Sequence, residues 1–107
     1  MYRQGDVLIF ATDAIPENAA TEVPRESGRI VLARGEVTGH AHAIADEGAV
    51  LLAAPDTEDR FLRIMAASGV ELRHEEHSTI TLPPGLYVVR RQREYTSDDM
   101  KPIAVAD

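Results

Sequence analysis

The chemistry in this chain is concentrated in two short stretches. His40 and His42 stand one residue apart in Gly35-Glu36-Val37-Thr38-Gly39-His40-Ala41-His42-Ala43-Ile44, and His74 and His77 close the tetrapeptide His74-Glu75-Glu76-His77. These are all four histidines of the chain. On a strand, side chains alternate, so His40 and His42 point to one face while Gly39, Ala41 and Ala43 form the other. Two imidazoles on one face are what a divalent transition metal takes as ligands. The chain has no cysteine, so thiolate sites, disulfides and cysteine nucleophiles are excluded. Histidine and oxygen ligands alone do not choose among Zn, Fe, Mn, Ni and Cu.

A third ligand can come from either histidine of the second stretch. His74 continues the apolar face of Val70 and Leu72, which aims it inward. His77 stands at a strand end, where a bulge can re-aim a side chain. The expected ligand set is therefore His40, His42 and His77, with His74 and Glu47 in reserve and Asp46 or water as further fourth ligands. Glu75 and Glu76 read as solvated turn residues. An open coordination position would give a catalytic metal, and a filled shell a structural or sensory one. The competing reading makes these histidines ordinary surface or hydrogen-bonded core residues.

His40-Ala41-His42, then Glu47, then the later Pro83-Pro84-Gly85 turn resemble a fragmentary cupin pattern. The resemblance implies a double-stranded β-helix barrel. It also implies one divalent metal held by His40, His42 and Glu47 of the first motif, with a histidine of the second. Leu86, Tyr87 and Val88 stand where that last histidine would fall.

The elements that must position these residues read as strands. Short apolar or alternating runs at Val7–Ala11, Arg29–Ala33, Val37–Ile44, Ala49–Ala53, Arg60–Ala66, Val70–His74, His77–Leu82 and Leu86–Arg91 are separated by Gly and Pro turns. Arg60–Ala66 also fits a short helix, and the alternation of Phe61, Arg63 and Met65 favours strand. Asp13–Gly28, with Pro16 and Pro24, reads as a loop long enough to cover something. Thr96-Ser97-Asp98-Asp99 has a capping residue and an acidic first turn, and Pro102 keeps this C-terminal helical turn short. The expectation is an all-β fold, a single domain over residues 1–107, forming a small barrel or sandwich of seven or eight strands.

Composition sets outer bounds. With 107 residues the chain has the length of one domain. It carries 18 acidic and 11 basic side chains, a net charge of -7, which opposes binding to nucleic acid or to an anionic membrane. The basic cluster Arg90, Arg91 and Arg93, near Tyr87 and Tyr95, reads as a charged edge that blocks strand addition. The N-terminus lacks a signal pattern, and no apolar run approaches the roughly 20 residues of a membrane span, so the expected location is cytoplasmic. Ser27, Ser68, Ser78 and Ser97 lie in no nucleophile elbow. Gly35 and Gly39 match no phosphate loop, and Asp56, Glu58 and Asp59 lack the rest of a calcium loop. The preferred function is a soluble domain holding one divalent transition metal, its catalytic role open. The alternative is a metal-free protein-interaction or assembly module. A small-molecule substrate, a protein partner and a homo-oligomer all stay open as partners.

Overall fold

The computed structural model describes residues 1–35 and 39–92. Ten strands occupy them: β1 (Tyr2–Gln4), β2 (Val7–Thr12), β3 (Thr21–Glu22), β4 (Ile30–Arg34), β5 (Ala41–Ile44), β6 (Ala49–Ala53), β7 (Arg60–Ile64), β8 (Val70–Arg73), β9 (Ile80–Leu82) and β10 (Gly85–Arg91). All neighbours are antiparallel. One sheet has the order β1-β2-β10-β7-β6-β3 and the other β4-β5-β8-β9. The fold is all-β and sandwich-like, and among the described residues neither sheet closes into a barrel.

The sheets face each other because their apolar residues recur every second position. Val7 and Ile9, Leu51, Leu62 and Ile64, and Tyr87 and Val89 project from the first sheet into one buried cluster. Ile30, Ile44, Val70, Leu72 and Leu82 meet them from the second. Burying one such side chain stabilises the fold by roughly 1.5–3 kcal/mol. A smaller cluster on Phe61 buries Ala19 and Ala54 and includes Ile15. The Asp13–Gly28 segment thus covers an outer patch of the larger sheet.

Several expected elements differ. Among the described residues the count is ten strands, where seven or eight were expected, because Tyr2–Gln4 and Thr21–Glu22 pair as edge strands. Neither carries the run of apolar residues that marks a strand in sequence; β3 is exposed throughout. The strand expected from Val37 begins only at Ala41, since Gly39 turns the chain at φ 87°; residues 36–38 lie outside the described set. His40 therefore precedes β5 rather than sharing its regular alternation with His42. The strand expected from His77 starts at Ile80. Arg60–Ile64 is a strand, as expected, because β6 and β10 flank it on both sides. The expected helical turn at Thr96–Asp99 lies outside the described residues, as do Arg93 and Tyr95. No helix of the described residues is long and apolar enough to cross a membrane.

Two connections set up the functional end of the sandwich. The β4–β5 hairpin closes with the Gly35 amide donating to the His40 carbonyl at 3.1 Å. The β1–β2 turn, Gly5-Asp6, belongs to the larger sheet and reaches across to the end of β5 and β8.

Candidate metal centre

Strand register places the histidines. Ala43 pairs with Arg73 and Ile44 with Leu72. Carrying that antiparallel register outward puts His42 opposite His74, Ala41 opposite Glu75, and His40 opposite Glu76. The ladder stops at this point, and a side chain takes over from the backbone. Glu75 Oε1 accepts the Ala41 amide at 2.9 Å, satisfying a donor that the sheet leaves open. That hydrogen bond, with Glu75's own backbone amide, holds the Glu75 carboxyl below its usual range.

The four imidazoles converge here. Ring centroids lie 4.3 Å apart for His42 and His74, 4.6 Å for His74 and His77, 5.7 Å for His40 and His74, and 5.8 Å for His42 and His77. Ligand atoms of His40, His74 and Glu75 all lie within 4.8 Å of one another. His40 Nδ1 also stands 3.7 Å from Glu76 Oε1. Glu75 and Glu76 are exposed, as turn residues should be, yet both carboxylates border the imidazoles. Glu47 is exposed and lies past the opposite end of β5, so the structure does not bring it to the histidines. Its neighbour Asp46 is occupied there, accepting the Glu71 amide at 3.1 Å.

His42 is the most constrained of the four. It is 3% exposed, and Gln4 beside it is 2% exposed. The Gln4 side-chain amide donates to the Leu72 carbonyl and to the Ser78 carbonyl, each at 2.9 Å. Those bonds use both of its hydrogens. Its Oε1, 2.9 Å from His42 Nδ1, can then only accept, so Nδ1 carries the ring proton. Burial, followed by the neighbouring His74 imidazole, lowers the His42 pKa to about 4, against a smaller opposing pull from Asp6. At neutral pH the ring is therefore uncharged, and Nε2 presents a lone pair. His74 differs: its Nδ1 accepts the Glu76 amide at 3.0 Å, so ligation through that nitrogen requires it to leave this bond.

The β1–β2 turn packs directly on the rings. Gly5 has φ 56°, and a Cβ built on it would lie 2.7 Å from His77 Nε2 and 3.2 Å from His42 Cε1. Only glycine fits both the left-handed backbone and the space. Asp6 Oδ1 stands 3.5 Å from His42 Nε2, and Asp6 Oδ2 accepts Arg91 Nε at 2.6 Å. Arg91 also donates to the Arg34 carbonyl at 3.0 Å. Arg90 is held by Asp59 through two hydrogen bonds, at 2.8 and 3.1 Å, and lies over the Phe10 ring.

Sequence reasoning found the four histidines but not Gln4 or Asp6, and it treated Glu75 as solvent-facing. Gln4 and Asp6 carry no local signal, being 38 and 36 residues from His42, one at the end of the short edge strand β1 and the other in the turn after it. The His-Glu-Glu-His spacing did hold a signal for Glu75, because a carboxylate within a histidine pair is a ligand candidate by residue type.

A family model described as "Domain of unknown function (DUF8820)" matches residues 3–92. Neither a curated protein nor a solved structure matches the chain.

Proposed function

The chain belongs to the DUF8820 family, whose description assigns no activity, and from its own site we propose that it binds one divalent transition-metal ion through His40, His42, His74 and His77. The observation that carries this reading is the convergence of all four imidazoles from two distant segments. Imidazoles sharing one ion at metal–nitrogen distances of 2.0–2.1 Å have ring centroids about 4.5–5.5 Å apart. Of the four ring separations, that of His74 and His77, 4.6 Å, falls in this range, and the others, 4.3, 5.7 and 5.8 Å, lie just outside it.

A second feature supports the same reading. A metal-ligating histidine donates its other ring N–H to an oxygen that fixes its tautomer and orientation. Gln4 does this for His42, and the fold commits a buried, fully hydrogen-bonded amide to the task. His42 is thus the ligand set in advance. His77 packs on Gly5 and His40 lies at the hairpin mouth, with His74 between them, and the ligand atoms of His40 and His74 lie within 4.8 Å of each other and of Glu75. A purely structural role for this polar cluster would not need four metal-competent rings at one end of a sandwich. Nitrogen and oxygen donors suit Zn, Fe, Mn, Ni or Cu.

The test uses tag-free protein. Elemental analysis after expression with each metal should show about one ion per chain, and adding that ion to chelated protein should raise Tm. At a hundredfold excess over Kd the stabilisation is about 2.7 kcal/mol. His42→Ala and His77→Ala should lose both uptake and the metal-dependent part of the Tm. If none of the five ions is retained and none shifts Tm, the metal reading is wrong, and the metal-free interaction module takes its place.

A further inference from the structure

We propose that Glu75 is a ligand of the same ion, beside His40 and His74. The inference rests on the metal reading above and adds an oxygen donor to its histidines. Its ground is geometric. One ligand atom each from His40, His74 and Glu75 lies within 4.8 Å of the other two, and among the described residues no other set of three or more such donors is as close. Two donors bound to one ion at about 2.0–2.2 Å stand about 3.4 Å apart at a tetrahedral angle. From 4.8 Å the group has to close by at most about 1.4 Å. Both imidazoles are half-buried and Glu75 is exposed, so the movement falls on side chains and not on the strands.

Three features separate Glu75 from a solvated turn residue. The first is its anchor. The Ala41 amide donates to Oε1 at 2.9 Å, which pins the carboxylate at the end of β5. A carboxylate has about four acceptor positions on its two oxygens, so this bond leaves capacity for an ion. Ligating carboxylates are themselves hydrogen-bonded in this way by outer groups. The second feature is charge. Among the described residues no arginine pairs with Glu75, and the neighbouring Arg73 pairs with Glu71 instead. The third is access. His74 and Glu75 line a concavity of about 220 Å³ with Ala41, Arg29 and Arg73, so an ion between them has an entry path from solvent.

Glu76 supplies the contrast. Its Oε1 stands 3.7 Å from His40 Nδ1, but it belongs to no such group of three. Two imidazoles with one carboxylate also serve together in catalytic zinc sites and in non-haem Fe(II) sites, so the donor set suits ions already in question.

The experiment is Co(II) titration of chelated, tag-free protein, read by affinity and by the visible ligand-field spectrum. The variants are Glu75→Gln, Glu75→Ala and Glu76→Gln, each first checked for unchanged far-ultraviolet dichroism without metal. Glutamine keeps an oxygen for the Ala41 amide, so Glu75→Gln removes the anionic donor without undoing that hydrogen bond. Both Glu75 variants should weaken Co(II) binding by more than about 10-fold, the least that loss of an outer-shell partner costs, and should change the band positions. Glu76→Gln should stay within about threefold of wild type with the spectrum kept, because an exposed pair contributes little. Wild-type affinity and spectrum in the Glu75 variants, or equal weakening by Glu76→Gln, would overturn the assignment while leaving the histidine site standing. If one Glu75 variant fails to fold, the other decides. If both fail, infrared difference spectra of the wild type decide: ion binding should shift a carboxylate stretch, and no shift overturns the assignment. No Co(II) binding by the wild type, by contrast, would overturn the metal reading and this assignment together.

Discussion

Replacing Gln4 by leucine isolates the contact that ties the two sheets at the histidine end. Leucine is close to glutamine in volume though branched one carbon nearer the backbone, so the change removes polarity with little loss of packed volume. Gln4 makes three hydrogen bonds in a site where it is 2% exposed: to the Leu72 carbonyl, to the Ser78 carbonyl and from His42 Nδ1. At about 1 kcal/mol net each, their loss costs about 3 kcal/mol. The buried His42 N–H left without an acceptor adds to this, and the extra apolar burial of leucine offsets it. A domain of this size has a total stability of about 5–15 kcal/mol, so the effect is large. Urea denaturation in the presence of chelator should show a lower midpoint with an unchanged slope, and Tm should fall by about 12–24 °C. A double-mutant cycle with His42→Phe should give a coupling of about 1 kcal/mol for the shared bond. Metal affinity should fall roughly 10–100-fold, since the tautomer is no longer fixed. A Gln4→Leu protein within about 0.5 kcal/mol of wild type would show that this network does not hold the sheets together and that Gln4 does not fix the His42 tautomer.

Gly5→Ala should destabilise the chelated protein by about 1–3 kcal/mol, because φ is 56° and the new methyl meets His77 and His42; denaturation equal to wild type would contradict the packing described. Leu62→Ala, at a position with no exposure, should cost about 2–5 kcal/mol by calorimetry, and a loss below about 1 kcal/mol would mean the core between the sheets is loose. Stability should also depend on pH through His42. Its ordinary pKa is 6.5 and the fold lowers it to about 4, so the unfolded chain takes up the proton first. The contribution is therefore complete above pH 6.5 and is lost as pH falls towards 4, by at most about 3 kcal/mol. Denaturation of metal-free wild type and His42→Gln across this range should show a steeper acid loss in the wild type; parallel curves would argue against a buried neutral imidazole.

Period-two alternation was sufficient to identify most of this fold. Val7 and Ile9, Leu62 and Ile64, and Val70 and Leu72 declare a buried face residue by residue, because a strand can bury one face only by alternating. The same logic failed for Tyr2–Gln4 and Thr21–Glu22, which are strands only because a neighbour supplies hydrogen bonds. It also overextended β5, since a glycine's positive φ at position 39 depends on the hairpin it closes. At the site, histidine spacing was enough to pick out all four imidazoles. Which of them face one another depends on the register of β5 against β8, and a one-residue slip would have parted them. Gln4 and Asp6 were beyond reach altogether, because their parts in the site come from long-range contacts across the two sheets. Side-chain type sets what chemistry a residue can do and is written in the chain. The partner that directs that chemistry is set by packing between segments far apart in sequence, and only the tertiary structure decides it.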